Sequence, residues 1–431
     1  MSVWDSIIGQ QPTVDLLSRL AGIPQPWEGG DKESLHSGSK DISDQGISQE
    51  ESKEGDRDGF KGNAGESVRG TLRRGRIAQS WLICGAPGSG RSRVARAFAA
   101  ALECPRHGCG ECAVCRQVMR DEHPDVTVLA TDRVTISIDE VRKLVADSEQ
   151  MPSTTPWRII IIEDVDRMLE RTTNVLLKEV EEPAERTIWL LCAPSSEDVL
   201  PTIRSRTRIV NLAVPQAAAV AKFLRSTAGA DEALAKRCAR LAQGHIGIAR
   251  LYATDDQALA DRDEIVVGVL GMRRASDAVL LASSMVDSAQ GQAKTGVDRA
   301  VTQEEANFRE INGLAPGDKI PAALRPAFNA IGKKEDIRRR TVRLSRDVLD
   351  RFLNTIASVY RDISVLQNNA EDTAGIVNLE NRTAIADMSA RISRARTVAN
   401  LHAIDSARRR LLHNGSQQLV LESLLASLVV Y

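Results

Sequence analysis

A glycine-rich segment at residues 85–92, GAPGSGRS, constrains the fold of this 431-residue chain more than any other feature. It follows a short apolar run, SWLIC, and precedes a helical pattern, SRVARAFAAAL. A P-loop has this arrangement: a strand, then G-x-x-x-x-G followed by a basic residue and a serine, then a helix. Its backbone N–H groups cradle phosphate. The segment predicts a nucleotide-binding α/β domain. Its candidate ligands are Gly85, Gly88, Gly90, Arg91 and Ser92.

Arg91 stands where an active P-loop has a lysine. The lysine reaches the terminal phosphates as a compact point charge, whereas a guanidinium is longer, planar and forked. Nucleotide binding can survive this change, but efficient hydrolysis is not expected. Three possibilities stay open from the loop alone: a working nucleotide site, a weakened one, and a loop kept for its shape.

Glu163 and Asp164 end a continuous apolar run, RIIIIED, which is typical of a buried parallel strand. In P-loop enzymes, acidic residues at such a strand end hold magnesium and position water. Their usual order is aspartate then glutamate, so the reversed order moves each carboxylate by one methylene. Because Mg²⁺ tolerates little geometric error, this site too is expected to be weakened.

Strand and helix patterns alternate from residue 79 to about residue 212. DVTVLA and TIWLLCA are further predicted strands. SIDEVRKLVADSEQ is a predicted helix with Ser137 as its N-cap, and VDRMLERTTNVLLKEVEEP is another that ends near Pro183. This alternation predicts a parallel α/β sheet.

Four cysteines form a C-x4-C-x2-C-x2-C cluster: Cys104, Cys109, Cys112 and Cys115. Four thiolates within twelve residues, with glycines between them, suit tetrahedral zinc. A closed four-thiolate shell has no open position, so we expect a structural zinc rather than a catalytic one. His107 and His123 are expected at the surface or as caps, and the other three cysteines in the core.

The strand signal stops near residue 212 and helical periodicity follows, which predicts an α/β domain at 1–212, a small helical domain at 213–258 and a larger helical domain at 259–431. Within the first domain, residues 29–70 are rich in Gly, Ser and charge, and have almost nothing to bury. They are expected to form a disordered insertion.

Two stretches of the C-terminal region stand out. Residues 286–320 are poorer in apolar side chains and are expected to include a long loop. The basic segment KKEDIRRRTVRLSR at 333–346 could be a DNA-binding patch, but a charged outer helix face is the favoured interpretation.

Overall charge and hydropathy place few limits on function. Lys and Arg number 57 against 58 Asp and Glu, so net charge indicates nothing for or against nucleic acid. The first residues lack the pattern of a signal peptide, and no apolar run approaches the roughly 18 residues of a membrane span. We expect a soluble cytoplasmic protein, in which cysteines serve as metal ligands or core residues rather than disulfides.

The segment LPTIRSRTRIV carries Ser205 and Arg206 just before the last predicted strand. An arginine there can reach the nucleotide of a neighbouring subunit and stabilise the charge of phosphoryl transfer. Taken alone, RSR more often marks a basic surface turn.

Taken together, these residues resemble the DNA polymerase III clamp-loader branch of the AAA+ ATPases. The resemblance covers nearly all of 1–28 and 79–255, and the C-terminal region is similar, more loosely, to the helical collar through which such subunits form a ring. It rests on these segments, in this order: VWDSIIGQ, GAPGSGRSRVARAFA, the four-cysteine module, HPDV, ISIDEVR, IIIIEDVDRM, NVLLKEVEEP and LPTIRSRTR.

The resemblance implies an AAA+ P-loop domain with an inserted zinc module at 104–115, a helical lid and an all-α collar. Motor subunits of that family keep an intact GKS/T loop, whereas stator subunits commonly have a degenerate one. Arg91 fits a stator, as does Gly247, which stands where motor subunits have a sensor arginine.

The family's arginine finger lies in a Ser-Arg-Cys motif, which here reads Ser205-Arg206-Thr207. The resemblance implies that Arg206 acts in trans, on the ATP site of an adjacent motor subunit. Thr207 departs from the family pattern.

The implied partners are motor ATPase and delta-type subunits in a hetero-oligomeric ring that closes a sliding clamp on primed DNA at the replisome. Structural zinc is the implied cofactor, with ATP or ADP and Mg²⁺ as ligands of a weakened site. The chain would have no polymerase chemistry, weak or no ATPase activity, and no membrane partner. Two alternatives stay open: an active ATPase of the same fold that uses Arg91, Glu163 and Asp164, and a zinc-module DNA-binding protein with an α/β scaffold.

Overall fold

The computed structural model describes residues 2–22, 77–131, 135–413 and 415–429. The predicted insertion at 29–70 lies outside these residues. The chain separates into two compact units, Met1–Ala219 and Val220–Tyr431.

The first unit is built on a five-stranded sheet in which every pairing is parallel. Its strands are β1 Ser80–Cys84, β2 Val126–Leu129, β3 Arg158–Ile162, β4 Thr187–Ala193 and β5 Arg208–Asn211. They lie in the order β2-β3-β4-β1-β5, with Leu82 of β1 level with Leu191 and Ile209. Every residue of β1, β3 and β4 is buried, as expected when both faces of a parallel sheet are covered. The predicted parallel α/β sheet is confirmed.

Helices cover the two faces of this sheet. They are α1 Gln11–Ala21, α2 Arg91–Glu103, α3 Ala113–Met119, α4 Ile138–Ser148, α5 Glu170–Glu181 and the single turn α6 Pro201–Arg204. Alternate residues of β3 enter opposite cores: Ile159 and Ile161 pack with α1 and α2, whereas Ile160 and Ile162 pack with α4 and α5.

The helix boundaries follow local signals in one case and depart from them in another. Ser137 caps α4 as predicted, and the backbone N–H of Ser137 donates in return to the Glu140 carboxylate at 2.8 Å. The helix predicted from residue 165 begins later, at Glu170, because Val165–Arg167 forms a separate 3₁₀ turn after Asp164 adopts a left-handed conformation. It ends at Glu181, two residues before Pro183.

The second unit is helical throughout its described residues, apart from connections. Its helices are α7 Ala217–Ala228 (which starts at the end of the first unit), α8 Glu232–Leu241, α9 Ile246–Thr254, α10 Asp256–Gly271, α11 Ala275–Ile311, α12 Arg325–Phe328, α13 Lys334–Gln367, α14 Glu371–Ala374, α15 Arg382–Arg391, α16 Arg394–Leu412 and α17 Gln417–Leu428. One core lies among α7 to α10, and a larger one joins α10, α11, α13, α15, α16 and α17. The loop expected within 286–320 is shorter than predicted, because α11 continues to Ile311.

Candidate nucleotide-binding loop and cysteine cluster

The glycine loop follows β1 at the carboxyl edge of the sheet and leads directly into α2. Gly88 and Gly90 have φ angles of +79° and +95°, which glycine adopts without steric cost. A Cβ at Gly85 would lie 2.6 Å from Ser89 Oγ and 2.9 Å from Leu212 Cβ, so this position has no space for a side chain. Ser92 lies in the first turn of α2, where backbone N–H groups have no intrahelical acceptor. The loop thus keeps the shape of a phosphate cradle.

Arg91 is engaged by the chain's own acidic pair. Its Nη2 donates to Asp164 Oδ1 at 3.2 Å, and the second oxygen of Asp164 lies 3.4 Å from Arg167. The other terminal nitrogen, Arg91 Nη1, is buried and has no hydrogen-bond partner, and the same is true of Ser89 Oγ. These two orphaned groups lie in the loop itself and are suited to an anion.

Arg96 holds the other acid of the pair. Its Nη1 donates to Glu163 Oε1 at 2.7 Å, while its Nε and Nη2 form a bidentate pair with Asp121 at 2.6 and 2.8 Å. Burial disfavours the charge of Arg96, but the hydrogen bonds to Asp121 and Glu163 outweigh it and raise the pKa of the guanidinium. Arg96 was missed by the sequence analysis. The available signal was an arginine one helical turn after Ser92.

The structure therefore brings the glycine loop together with Glu163 and Asp164, as the sequence predicted, but pairs each acid with an arginine: Arg91 of the loop and Arg96 of α2. Magnesium needs carboxylate oxygens as ligands in a near-octahedral shell. Here each carboxylate is already in a charge-assisted hydrogen bond, with Arg91 or with Arg96. This arrangement offers donors to phosphate and occupies both acids of the predicted pair, while Asp166 Oδ1, close by in the 3₁₀ turn, is buried without a hydrogen-bond partner.

Arg206 and Ser205 are exposed, in the turn between α6 and β5. Arg206 contacts both oxygens of Glu181, Nε to Oε2 at 3.0 Å and Nη2 to Oε1 at 3.3 Å, and its Nη1 donates to the Thr202 carbonyl at 3.1 Å. The Glu181 carboxylate is about half exposed, at 52%. Exposed ion pairs of this kind contribute about 0–1 kcal/mol, so Arg206 is available to a stronger anion.

The four predicted cysteine ligands converge. The Sγ atoms of Cys104, Cys109, Cys112 and Cys115 all lie within 4.8 Å of one another. Cys104 Sγ lies 3.7 Å from Cys109 Sγ and 3.6 Å from Cys112 Sγ. A tetrahedron with Zn–S bonds of about 2.3 Å has S–S edges of about 3.8 Å, so the spacing fits zinc.

The local backbone supports metal binding. Cys112 is the N-cap of α3, and its Sγ accepts the Cys115 N–H at 3.3 Å. The N–H groups of Glu111 and Cys112 lower the pKa of the Cys109 thiol to about 6, which favours the thiolate that a metal needs. His107 is exposed and His123 Nδ1 accepts the Asp125 N–H, so neither is among the convergent ligands.

Among the residues that the structure describes, no helix combines the length and apolar character needed to span a bilayer.

The three isolated cysteines, Cys84, Cys192 and Cys238, are buried as predicted.

Comparison with known proteins agrees with the sequence motifs. Residues 61–216 match the model of a family described as DNA polymerase III, delta subunit. The chain is 33% identical over 157 residues to DNA polymerase III subunit delta′ of Pseudomonas aeruginosa, which covers 35% of this chain and 48% of the relative. The delta′ subunit of Haemophilus influenzae is 30% identical over 154 residues, covering 35% and 47%. The chain thus spans about half the length of these curated relatives.

The gamma/tau subunit of Mycobacterium tuberculosis strain H37Rv is 32% identical over 141 residues, covering 32% of this chain and 24% of the relative. Among solved structures, a DNA polymerase III gamma subunit-related protein from Thermotoga maritima is 17% identical and covers 84% of this chain and 97% of that one. Its TM-score of 0.38 is too low to bear on the fold.

Proposed function

We propose that this chain, which is related over its α/β unit to DNA polymerase III clamp-loader subunits, is the delta-prime-type stator of that assembly. The observation that carries the proposal is the neutralised acidic pair, Glu163 with Arg96 and Asp164 with Arg91. A motor subunit needs this pair free to hold magnesium and orient water. A subunit that occupies it with arginines keeps the shape of the domain and gives up turnover.

The orphaned Arg91 Nη1 and Ser89 Oγ support retention of phosphate binding without hydrolysis. In this proposal Gly85, Gly88, Gly90, Arg91 and Ser92 cradle ATP or ADP weakly, or hold the loop in shape without it. Weak or absent ATPase activity follows in either case.

Arg206 is the residue through which the stator acts on its neighbour. It is exposed, carries a planar guanidinium, and is held in place by its exposed pair with Glu181 and by the Thr202 carbonyl. Placed against the terminal phosphate of an adjacent motor subunit, its guanidinium would stabilise transition-state charge, with Ser205 beside it in the turn.

Zinc belongs in the cluster of Cys104, Cys109, Cys112 and Cys115. When bound, it supplies a structural cross-link and no Lewis-acid chemistry, because four thiolates leave no open coordination position. The chain's own part is to present the Cys112 and Cys115 sulfurs from the first turn of α3.

The remaining assignments follow from the resemblance. The P-loop-like domain at 1–212 would be of the AAA+ type, with a lid at 213–258 and a collar at 259–431 that joins the hetero-oligomeric ring. Motor and delta-type subunits, the sliding clamp and primed DNA would be its partners, at the replisome in the cytoplasm.

The test is ATP turnover by the chain alone and together with its candidate motor subunit, the sliding clamp and primed DNA. We expect the chain alone to be inert and to raise turnover by the motor. Arg206→Ala should remove that gain, since an arginine finger contributes on the order of 10³-fold at the site it completes. Arg171→Ala, an exposed arginine of α5 in the same unit, is the matched control and should keep the gain.

Brisk hydrolysis by the isolated chain, lost in Arg91→Ala, would identify a motor and overturn the proposal. If the Arg206→Ala variant stimulates the motor as strongly as the wild type does, Arg206 is not an arginine finger.

A further inference from the structure

Two long helices of the second unit continue beyond its helical core. The buried residues of α11 end at Val297, and those of α13 begin at Ser345. Residues 298–344 are all described, and none of them is buried. At about 1.5 Å per residue, the α11 part of this segment is about 20 Å long. We call residues 298–344 the arm.

The arm has internal contacts that join its two helices and their connection. The rings of Phe308 and Phe328 meet edge to face at 5.6 Å, and the Arg309 guanidinium lies 5.3 Å from the Phe328 ring. Arg340 Nη1 lies 2.6 Å from Glu304 Oε1, which links α13 to α11. These contacts fix the arm's helices against each other without a buried core.

The return side of the arm is strongly basic. Residues 319–344 contain eight Lys and Arg against two acidic residues, whereas residues 298–318, on the other side of the arm, contain two against five. Lys333, Lys334 and Arg338 are exposed, and no carboxylate of the described chain forms an ion pair with them. Arg339 pairs with Glu335 at 3.1 Å, an exposed contact that contributes little.

Most large apolar side chains of the arm are half-buried, the rings of Phe308 and Phe328 among them, and few are fully exposed. Of the large hydrophobic side chains that are exposed, the arm has Ile311 and Val342, one on each helix. The centres of protein–protein interfaces are depleted in charged residues, lysine among them, and enriched in aromatic ones. Phosphate backbones are instead bound by lysine and arginine side chains that release counterions, without reading sequence.

We propose that the arm binds the phosphate backbone of duplex DNA through Lys333, Lys334 and Arg338. The sequence favoured a solvated outer helix face for 333–346, but most of this segment lies in the arm, beyond the core. The inference does not depend on the stator role, because neither the glycine loop nor Arg206 takes part in it.

The test compares two triple variants of the full-length chain. Lys333→Ala/Lys334→Ala/Arg338→Ala removes the arm's unpaired cations. Its control removes the same charge from exposed residues elsewhere in the unit: Lys222→Ala, Arg225→Ala and Arg250→Ala. Binding to a labelled duplex of arbitrary sequence is followed by fluorescence anisotropy over a range of salt concentrations, without other subunits.

The arm variant should bind at least about tenfold more weakly, and the slope of log K against log salt should become less negative by up to about 3. The control should change affinity by less than about twofold. Equal affinities of the arm variant and wild type, or equal losses in both triple variants, would overturn the proposal. Poly-glutamate is the second probe: if the arm variant loses more affinity for it than for DNA, the occupant is an acidic protein and the proposal fails.

Discussion

At the scale of single residues, Asp125 is a motif residue whose buried carboxylate organises a network of hydrogen bonds. It lies in the HPDV segment, is fully buried, and accepts hydrogen bonds from the backbone and hydroxyl groups of Ser153, Thr154 and Thr155 at 2.6–3.2 Å. Burial alone would raise the pKa of this carboxyl. The hydrogen bonds outweigh burial and hold the pKa well below its usual range.

Asp125→Asn should therefore lower the free energy of unfolding by about 3 kcal/mol near neutral pH, because part of a buried donor set loses its acceptor. A carboxyl with a depressed folded-state pKa stabilises the protein above its unfolded pKa of about 3.9 and loses this contribution as pH falls. The difference between variant and wild type should shrink below about pH 4 in denaturant titrations.

The control is Asp139→Asn, since Asp139 in the first turn of α4 is 87% exposed. We expect it to change stability by no more than about 0.5 kcal/mol. A cost of Asp125→Asn that is the same at acid and neutral pH would contradict an ionised, hydrogen-bonded carboxylate.

The sequence predicts those parts of the candidate site whose residues are close together along the chain. The glycine loop, the acidic pair and the four cysteines are local patterns, and the structure brings each set together. Arg96 could not be predicted in the same way. Its partners Asp121 and Glu163 are 25 and 67 residues away and meet it through the parallel sheet. The pairing of both acids with arginines arises from tertiary structure, so local sequence patterns do not predict it.

At the scale of elements, α3 depends on the cysteine cluster. It has seven residues, and isolated helices of that length are not stable in water. Its N-cap is Cys112, and an N-terminal 3₁₀ turn, Val3–Ser6, is tied to the same module by the bond from Val3 N–H to the Gly108 carbonyl at 3.1 Å. A metal at the cluster would hold both elements.

We predict one zinc per chain by elemental analysis, and at least about a tenfold weaker zinc affinity in Cys112→Ser. Chelation should raise amide exchange through 104–119, because α3 loses its cross-link. Cys238→Ala removes a buried cysteine of the second unit and should keep the zinc. If the wild-type chain binds no zinc in a titration, the cysteine module is not a zinc site.

The α11 helix is longer than its local sequence signals predict. Between Val286 and Ile311 it has few apolar residues and two glycines, Gly291 and Gly296, both of which weaken a helical pattern. A Cβ at Gly296 would lie 2.6 Å from Leu344 Cδ2 on α13, so the glycine permits close approach of two helices. The contact joins residues far apart in sequence, and the helix is continuous because its partner lies beside it.

At the scale of the whole molecule, each unit has its own hydrophobic cores: among the described residues, two lie in Met1–Ala219 and two in Val220–Tyr431. The second unit also contains a buried polar centre. Asp362 is fully buried and accepts the N–H groups of Val377 and Asn378 at 2.8–3.1 Å, together with Arg361 Nη1 at 2.8 Å. It fixes the connection after α14 against α13.

Asp362→Ala should destabilise the second unit by about 3 kcal/mol or more, because it leaves buried N–H groups without an acceptor and Arg361 without its partner. Hydrogen exchange should rise within Val220–Tyr431, while the sheet of the first unit and its zinc content stay as in wild type. Asp372→Ala, an exposed acid on α14, is the control and should leave exchange unchanged. Combined with zinc chelation, the effects of Asp362→Ala should add, since perturbations without shared partners are independent. Faster exchange in β1, β3 and β4 of the Asp362→Ala variant would show instead that the two units unfold as one.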